Sequence, residues 1–162
     1  MINTLLLKMT QHYILRVGNG KNFVNSSHLG IWAVKSKNKT FLASVKEGDI
    51  LWFVRNKESC DISTGKVIAV VQFVSANKRN IGSPLISITP DNDELGWDEM
   101  GGDCDIEFHY NNLYNLTNCS LYTGQNNQTT ICAYENVKER LLVNLIVEYE
   151  YIVRYSNITY KM

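Results

Sequence analysis

Hydrophobic positions in this chain come in short runs of β-branched and aromatic residues, cut by polar stretches rich in Gly, Asn and Ser. Runs of that length with those breakers predict strands, not long helices. His12-Tyr13-Ile14-Leu15-Arg16-Val17 reads as a strand that ends at Gly18. Asn22 to His28 has the length of one short helix, with Gly30 as its C-terminal stop, and Ile31 to Val34 resumes extended structure. Lys35-Ser36-Lys37-Asn38-Lys39 reads as a polar loop. Glu47-Gly48-Asp49 is a turn signal, after which Ile50 to Val54 predicts a buried strand. Gly65 to Val74 is the strongest strand pattern in the chain, and the two are expected to pair as a hairpin.

Residues 75–102 lack a sustained period and carry both prolines, so they read as a long loop with a short strand at Leu85 to Ile88. Long loops in compact domains commonly carry function, and this one bears Trp97 between Gly96 and Asp98. From Asp103 to Tyr110 the residues alternate. Cys104, Ile106, Phe108 and Tyr110 point one way and Asp103, Asp105, Glu107 and His109 the other, the mark of a strand with one buried face. Asn111 to Leu121 reads as a mixed connection. Asn136-Val137-Lys138-Glu139 matches a capping box and predicts a short helix over 137–142. Val147, Tyr149, Tyr151, Val153 and Tyr155 alternate with polar residues and predict a closing strand. Many short strands, a few short helices and no strand-helix-strand rhythm predict an α+β, mainly β fold, a mixed β-barrel with short flanking helices spanning 1–162 as one domain.

Composition narrows the picture. The 162 residues, 44% of them hydrophobic, suffice for a core of ordinary size, and no run approaches the length of a membrane span. An intracellular location without membrane contact is therefore expected. Cys60, Cys104, Cys119 and Cys132 form no Cys-x-x-Cys pair, which excludes a zinc ribbon or a thioredoxin-type motif. The abundance of Asn, Lys, Ile and Tyr fits an AT-rich genome, that of a large DNA virus among others. Net charge is zero, yet residues 1–90 hold twelve Lys/Arg against four Asp/Glu, and the remainder has the opposite balance. A basic surface from the first half could hold phosphates, while pairing between the halves would leave ordinary solvated charge.

The chemistry concentrates in Gly18-Asn19-Gly20-Lys21-Asn22-Phe23, followed after a polar spacer by Gly30-Ile31-Trp32-Ala33-Val34. A turn offers backbone N–H groups and amide side chains to a base edge, and an indole offers a flat face for stacking. With Lys46-Glu47-Gly48-Asp49-Ile50 and Gly65-Lys66-Val67-Ile68-Ala69-Val70 behind it, this order resembles the EVE domain, a relative of the YTH and PUA modules, over Tyr13 to Phe73. The resemblance implies a PUA-like mixed β-barrel and a partner strand of DNA or RNA whose modified, most simply methylated, base flips into an aromatic cage. On that reading Trp32 is one wall, Trp97 the opposite wall, and Asn19, Lys21 and Asn22 the polar end. Lys35, Lys37 and Lys39 would hold the backbone. No cofactor and no catalysis are expected.

Plain structural uses compete with each assignment. Trp32 could fill the core, Asn22 could cap a helix, and Lys21 could be solvated. Trp52 shares a strand face with Ile50 and Val54 and is expected to be core. The alternation of Asp103, Asp105, Glu107 and His109 could gather ligands for a divalent metal, as in a nuclease, although exposed charge on a strand is commonly no more than solubility. There is no Gly-x-Ser-x-Gly, Walker loop or dinucleotide fingerprint. The alternative to base reading is a protein–protein interaction module on the same barrel, without a working pocket.

Overall fold

The computed structural model describes residues 10–18, 20–35, 38–55, 65–78, 106–123, 131–134 and 143–155. Six strands and three helices are described, in the order β1 (His12–Arg16), α1 (Lys21–Ser27), β2 (Ile31–Val34), α2 (Lys39–Ser44), β3 (Ile50–Arg55), β4 (Lys66–Lys78), β5 (Ile106–Asn115), β6 (Ile131–Ala133) and α3 (Leu145–Tyr155). The strands make one six-stranded sheet, ordered β2-β5-β4-β3-β1-β6, which curls into a half-barrel. The fold is α+β and mainly β, as the short-run pattern predicts.

Pairing is antiparallel throughout except between β1 and β3, which run parallel with His12 opposite Ile50 and Arg16 opposite Val54. That parallel pair requires a long crossover. The chain supplies it by leaving β1, forming α1, laying β2 at the far edge against β5, and returning through α2 to β3. The hairpin expected between β3 and β4 is present, with a bulge where Phe53 faces Ala69 and Val54 faces Val67. β4 runs four residues beyond its sequence pattern before the described segment ends at Lys78, and β5 continues to Asn115 where a mixed connection is expected.

The turn before β3 is built from its side chains. Asp49 accepts the backbone N–H of Gln11 at 3.1 Å through Oδ1 and that of Lys46 at 2.9 Å through Oδ2. Gly48 sits at φ 95°, a left-handed conformation that costs glycine least. The Lys-x-Gly-Asp-Ile stretch therefore positions the sheet.

Both faces of the sheet are covered. On one lie Tyr13, Leu15, Leu51, Phe53, Val71, Phe73, Ile106, Phe108 and Tyr110, closed over by Phe23 of α1 and Phe41 of α2. On the other lie Ile14, Ile50, Trp52, Val54, Val67 and Val70, covered by Leu116, Leu121 and by Leu145 and Ile152 of α3. Each large side chain so buried contributes about 1.5–3 kcal/mol.

Three described elements depart from the sequence reading. Lys35 is irregular as expected of the loop at 35–39, residues 36–37 lie outside the described residues, and α2, which the pattern did not predict, begins at Lys39. The closing strand at 147–155 is a helix: Asn144 Oδ1 accepts the backbone N–H groups of Ile146 at 3.1 Å and Val147 at 3.3 Å, capping α3. Glu148 near its start and Arg154 near its end suit the helix dipole, and Leu145, Tyr149 and Ile152 recur at helical spacing toward the second core. β6 has no counterpart in the sequence pattern. The helix expected at 137–142, Leu85 to Ile88 and Cys104 lie outside the described residues. Among the described residues no helix is long and apolar enough to cross a membrane.

Candidate nucleic-acid interface

Trp32 stands on β2 because Ile-Trp-Ala-Val is a short apolar run, and all four residues are buried. It pairs across the sheet with Phe108. Its indole is 2% exposed and meets two rings edge-on: Phe23 at 5.9 Å and Phe53 at 6.3 Å between centroids. Sequence reasoning set Trp32 on the wall of an open hollow, and the structure instead encloses it in the aromatic part of the first core. The cause is α1, which carries Phe23 across the β2 edge. Phe23 packs 4.2 Å from Phe53 and lies nearly parallel to Tyr110, at 6.3 Å and 21°. Tyr110 in turn meets Phe53 at 5.7 Å. Four rings, those of Phe23, Trp32, Phe53 and Tyr110, thus form one cluster beneath the helix that follows Gly20.

The cluster also carries the hydroxyl of Tyr110. The residue is 6% exposed, and among the described residues no protein group hydrogen-bonds the oxygen. Leaving a hydroxyl buried in this way costs about 1–3 kcal/mol. Burial also pushes its ionisation far above the ordinary tyrosine value, so the phenol is neutral. The main chain of Tyr110 is tied instead: its N–H donates to Gly30 O at 3.0 Å, and a Cβ at Gly30 would stand 3.0 Å from the Tyr110 carbonyl oxygen. Gly30, at φ 69°, is therefore required where α1 turns into β2.

The remaining assigned residues divide. Asn22 is half-buried in the first turn of α1, where its carbonyl accepts the Ser26 hydroxyl at 3.4 Å. It is not the cap of that helix. Gly20 holds the cap position at φ 88°, with no side-chain capping bond. Lys21 is exposed at the same end, and Lys35 is half-buried just past β2. Lys39 opens α2. Asn19, Lys37 and Trp97 lie outside the described residues. Arg55, which the sequence reading did not single out, comes to this end from β3: its stem lies 3.7 Å from where a Gly20 Cβ would stand. Its position past a buried run was the available signal.

Chain comparison adds little to this geometry. No protein-family model and no curated protein matches the chain. Among solved structures, the YTH domain of the Zygosaccharomyces rouxii MRB1 protein, crystallised with N6-methyladenosine RNA, is similar at 10% identity and a TM-score of 0.43. The match covers 90% of this chain and 86% of that one.

The rival acidic face takes a different form from that expected of solvated charge. Glu107 is fully buried, and its Oε2 lies 3.0 Å from His109 Nε2, at ion-pair distance without hydrogen-bond alignment. Among the described residues no three His, Cys, Asp or Glu side chains come together as a metal site, and Asp103 and Asp105 lie outside them.

Proposed function

We propose that the protein is a nucleic-acid-binding module that receives a modified, most simply methylated, base in the aromatic cluster around Trp32. One observation carries the reading. Trp32 lies in edge contact with Phe23, which follows Lys21 and Asn22 in α1, and this supports assigning the indole and the start of that helix to one pocket. Lys21 and Arg55 put two cations at the same end, where a strand delivering its base would bring phosphates. A methyl group adds polarisable apolar surface that indole and phenyl faces favour without needing charge. Because Trp32 is enclosed in the free protein, a base reaches it by displacing a ring that covers it.

Titration of RNA and DNA oligonucleotides, each with and without a methylated base, tests the reading. Wild type is expected to favour a methylated strand, and Trp32→Ala to lose about 1–3 kcal/mol of that affinity. Thermal midpoints of both proteins separate lost stacking from lost folding. Equal affinity of both proteins for methylated and unmethylated strands refutes base reading.

A second reading has its own observation. The outer side of α3 exposes Ile146, Val147, Tyr151, Val153 and Tyr155, with the Tyr151 and Tyr155 rings 4.7 Å apart. A protein–protein interaction module would use such a face and leave the enclosed Trp32 as core. Co-purification of a protein without nucleic acid, abolished by Val147→Glu, would favour it.

A further inference from the structure

We propose that Phe23 is an internal placeholder and that the Tyr110 hydroxyl is the group that reads the ring replacing it. This rests on the base-binding reading above and names the contact that reading lacks. Phe23 is the ring that links the cluster: it touches Trp32, Phe53 and Tyr110, at 5.9, 4.2 and 6.3 Å. A planar ring in its place would have the same three neighbours. Phe23 offers Tyr110 only hydrocarbon, so the phenol stays without a hydrogen-bond partner among the described residues. A purine or pyrimidine presents ring nitrogens, carbonyls or exocyclic amines at its edge, and a neutral phenol can donate to the first two or accept from the third. Insertion would therefore exchange a ring that cannot satisfy the hydroxyl for one that can.

The element carrying Phe23 is suited to yield. α1 has seven residues, a Gly cap in the left-handed region, no side-chain capping bond and no acidic residue in its first turn. Helices this short owe their stability to packing of one face, and here Phe23 is the large side chain α1 buries while Val24 stays 54% exposed. The other three rings are on strands β2, β3 and β5, held by ladder pairing on neighbouring strands. The cluster thus has one ring on a weakly anchored helix and three on a rigid sheet. The phenol is also the right polar group for such a place, since a charged one could not be buried there unpaired.

The experiment compares wild type, Tyr110→Phe and Phe23→Leu by fluorescence anisotropy against a short single-stranded RNA bearing one N6-methyladenosine, its unmethylated twin, and the corresponding DNAs. Thermal midpoints are measured on the same three proteins. Tyr110→Phe is expected to keep or raise the midpoint while weakening binding about 2- to 13-fold, the range of one neutral hydrogen bond. Phe23→Leu, which removes the ring but keeps most of the apolar volume, is expected to bind more tightly than wild type. A lowered midpoint for Tyr110→Phe would show that the hydroxyl already has a partner in the free protein and would overturn the proposal. Unchanged affinity for Tyr110→Phe, or weaker binding by a folded Phe23→Leu, would overturn it while base reading stands. If wild type binds none of the strands, base reading itself fails, and the placeholder with it.

Discussion

Each face of the sheet buries large side chains, and one aromatic polar group on each face meets a different fate. On the α3 side the one indole, Trp52, is fully buried and donates from Nε1 to His12 Nδ1 at 3.0 Å. Tyr149 packs edge-on against both rings, at 5.7 Å from His12 and 6.3 Å from Trp52. Lys66 fastens the adjoining turn, donating to the carbonyls of Leu116 and Cys119. On the α1 side eight aromatic rings meet among the described residues, yet the Tyr110 hydroxyl has no hydrogen-bond partner there. A buried ring whose polar atom is answered internally is complete as architecture. One whose polar atom is buried against hydrocarbon holds a cost that a ligand can remove.

The largest effect is expected on removing the hydrogen-bonded indole. Trp52→Ala is expected to lower stability by about 3–5 kcal/mol, read from urea midpoints. Trp52→Phe keeps most of the volume but strips His12 Nδ1 of its donor, and should cost about 1–3 kcal/mol. If the hydrogen bond is incidental, the phenylalanine variant will match wild type.

Acid probes the same side. Burial holds His12 neutral, lowering its pKa from 6.5 to about 4, with the Asp49 carboxylate offsetting part of that effect. The unfolded chain takes up this proton first as pH falls. Its contribution is therefore complete above pH 6.5 and is lost as pH drops from 6.5 toward about 4, by up to about 3 kcal/mol. A His12→Gln variant should show a flatter pH dependence of the urea midpoint over that window, and an identical slope would remove His12 from the account.

The smallest expected effect lies at the cap of the covering helix. Asn144→Ala deletes both capping bonds of α3 and should destabilise by about 1 kcal/mol. Amide exchange would show the loss concentrated in 145–155, with the α1 side unaffected. A uniform loss would mean that the two faces unfold as one unit and that their contrast has no energetic counterpart.

Much of the sheet was legible because strand burial leaves a local trace. Ile50 to Val54 and Gly65 to Val74 are near-continuous apolar runs, and both became central strands buried on two faces. The alternation of Ile106, Phe108 and Tyr110 marked the face that enters the first core. At the other end of the chain the same reasoning failed, since Val147 to Tyr155 satisfies a period of two and, through Leu145, Tyr149 and Ile152, a helical one as well. Local pattern cannot arbitrate between them. The space over Trp52 and Val70, and the amide of Asn144, decided for the helix.

The site divides along the same line. Order along the chain determined that a polar turn, a short helix and a tryptophan strand follow one another, because those depend on Gly positions and short-range periodicity. It also determined that Trp52 faces the core with Ile50 and Val54. Tertiary structure alone decided that Phe23 covers Trp32, that Tyr110 comes within reach of Phe23 and Phe53 through β5, and that Arg55 arrives beside Gly20. Those contacts join residues far apart in sequence through a sheet whose strand order is not the chain order. No periodicity in a single segment encodes which ring from another strand will lie against it.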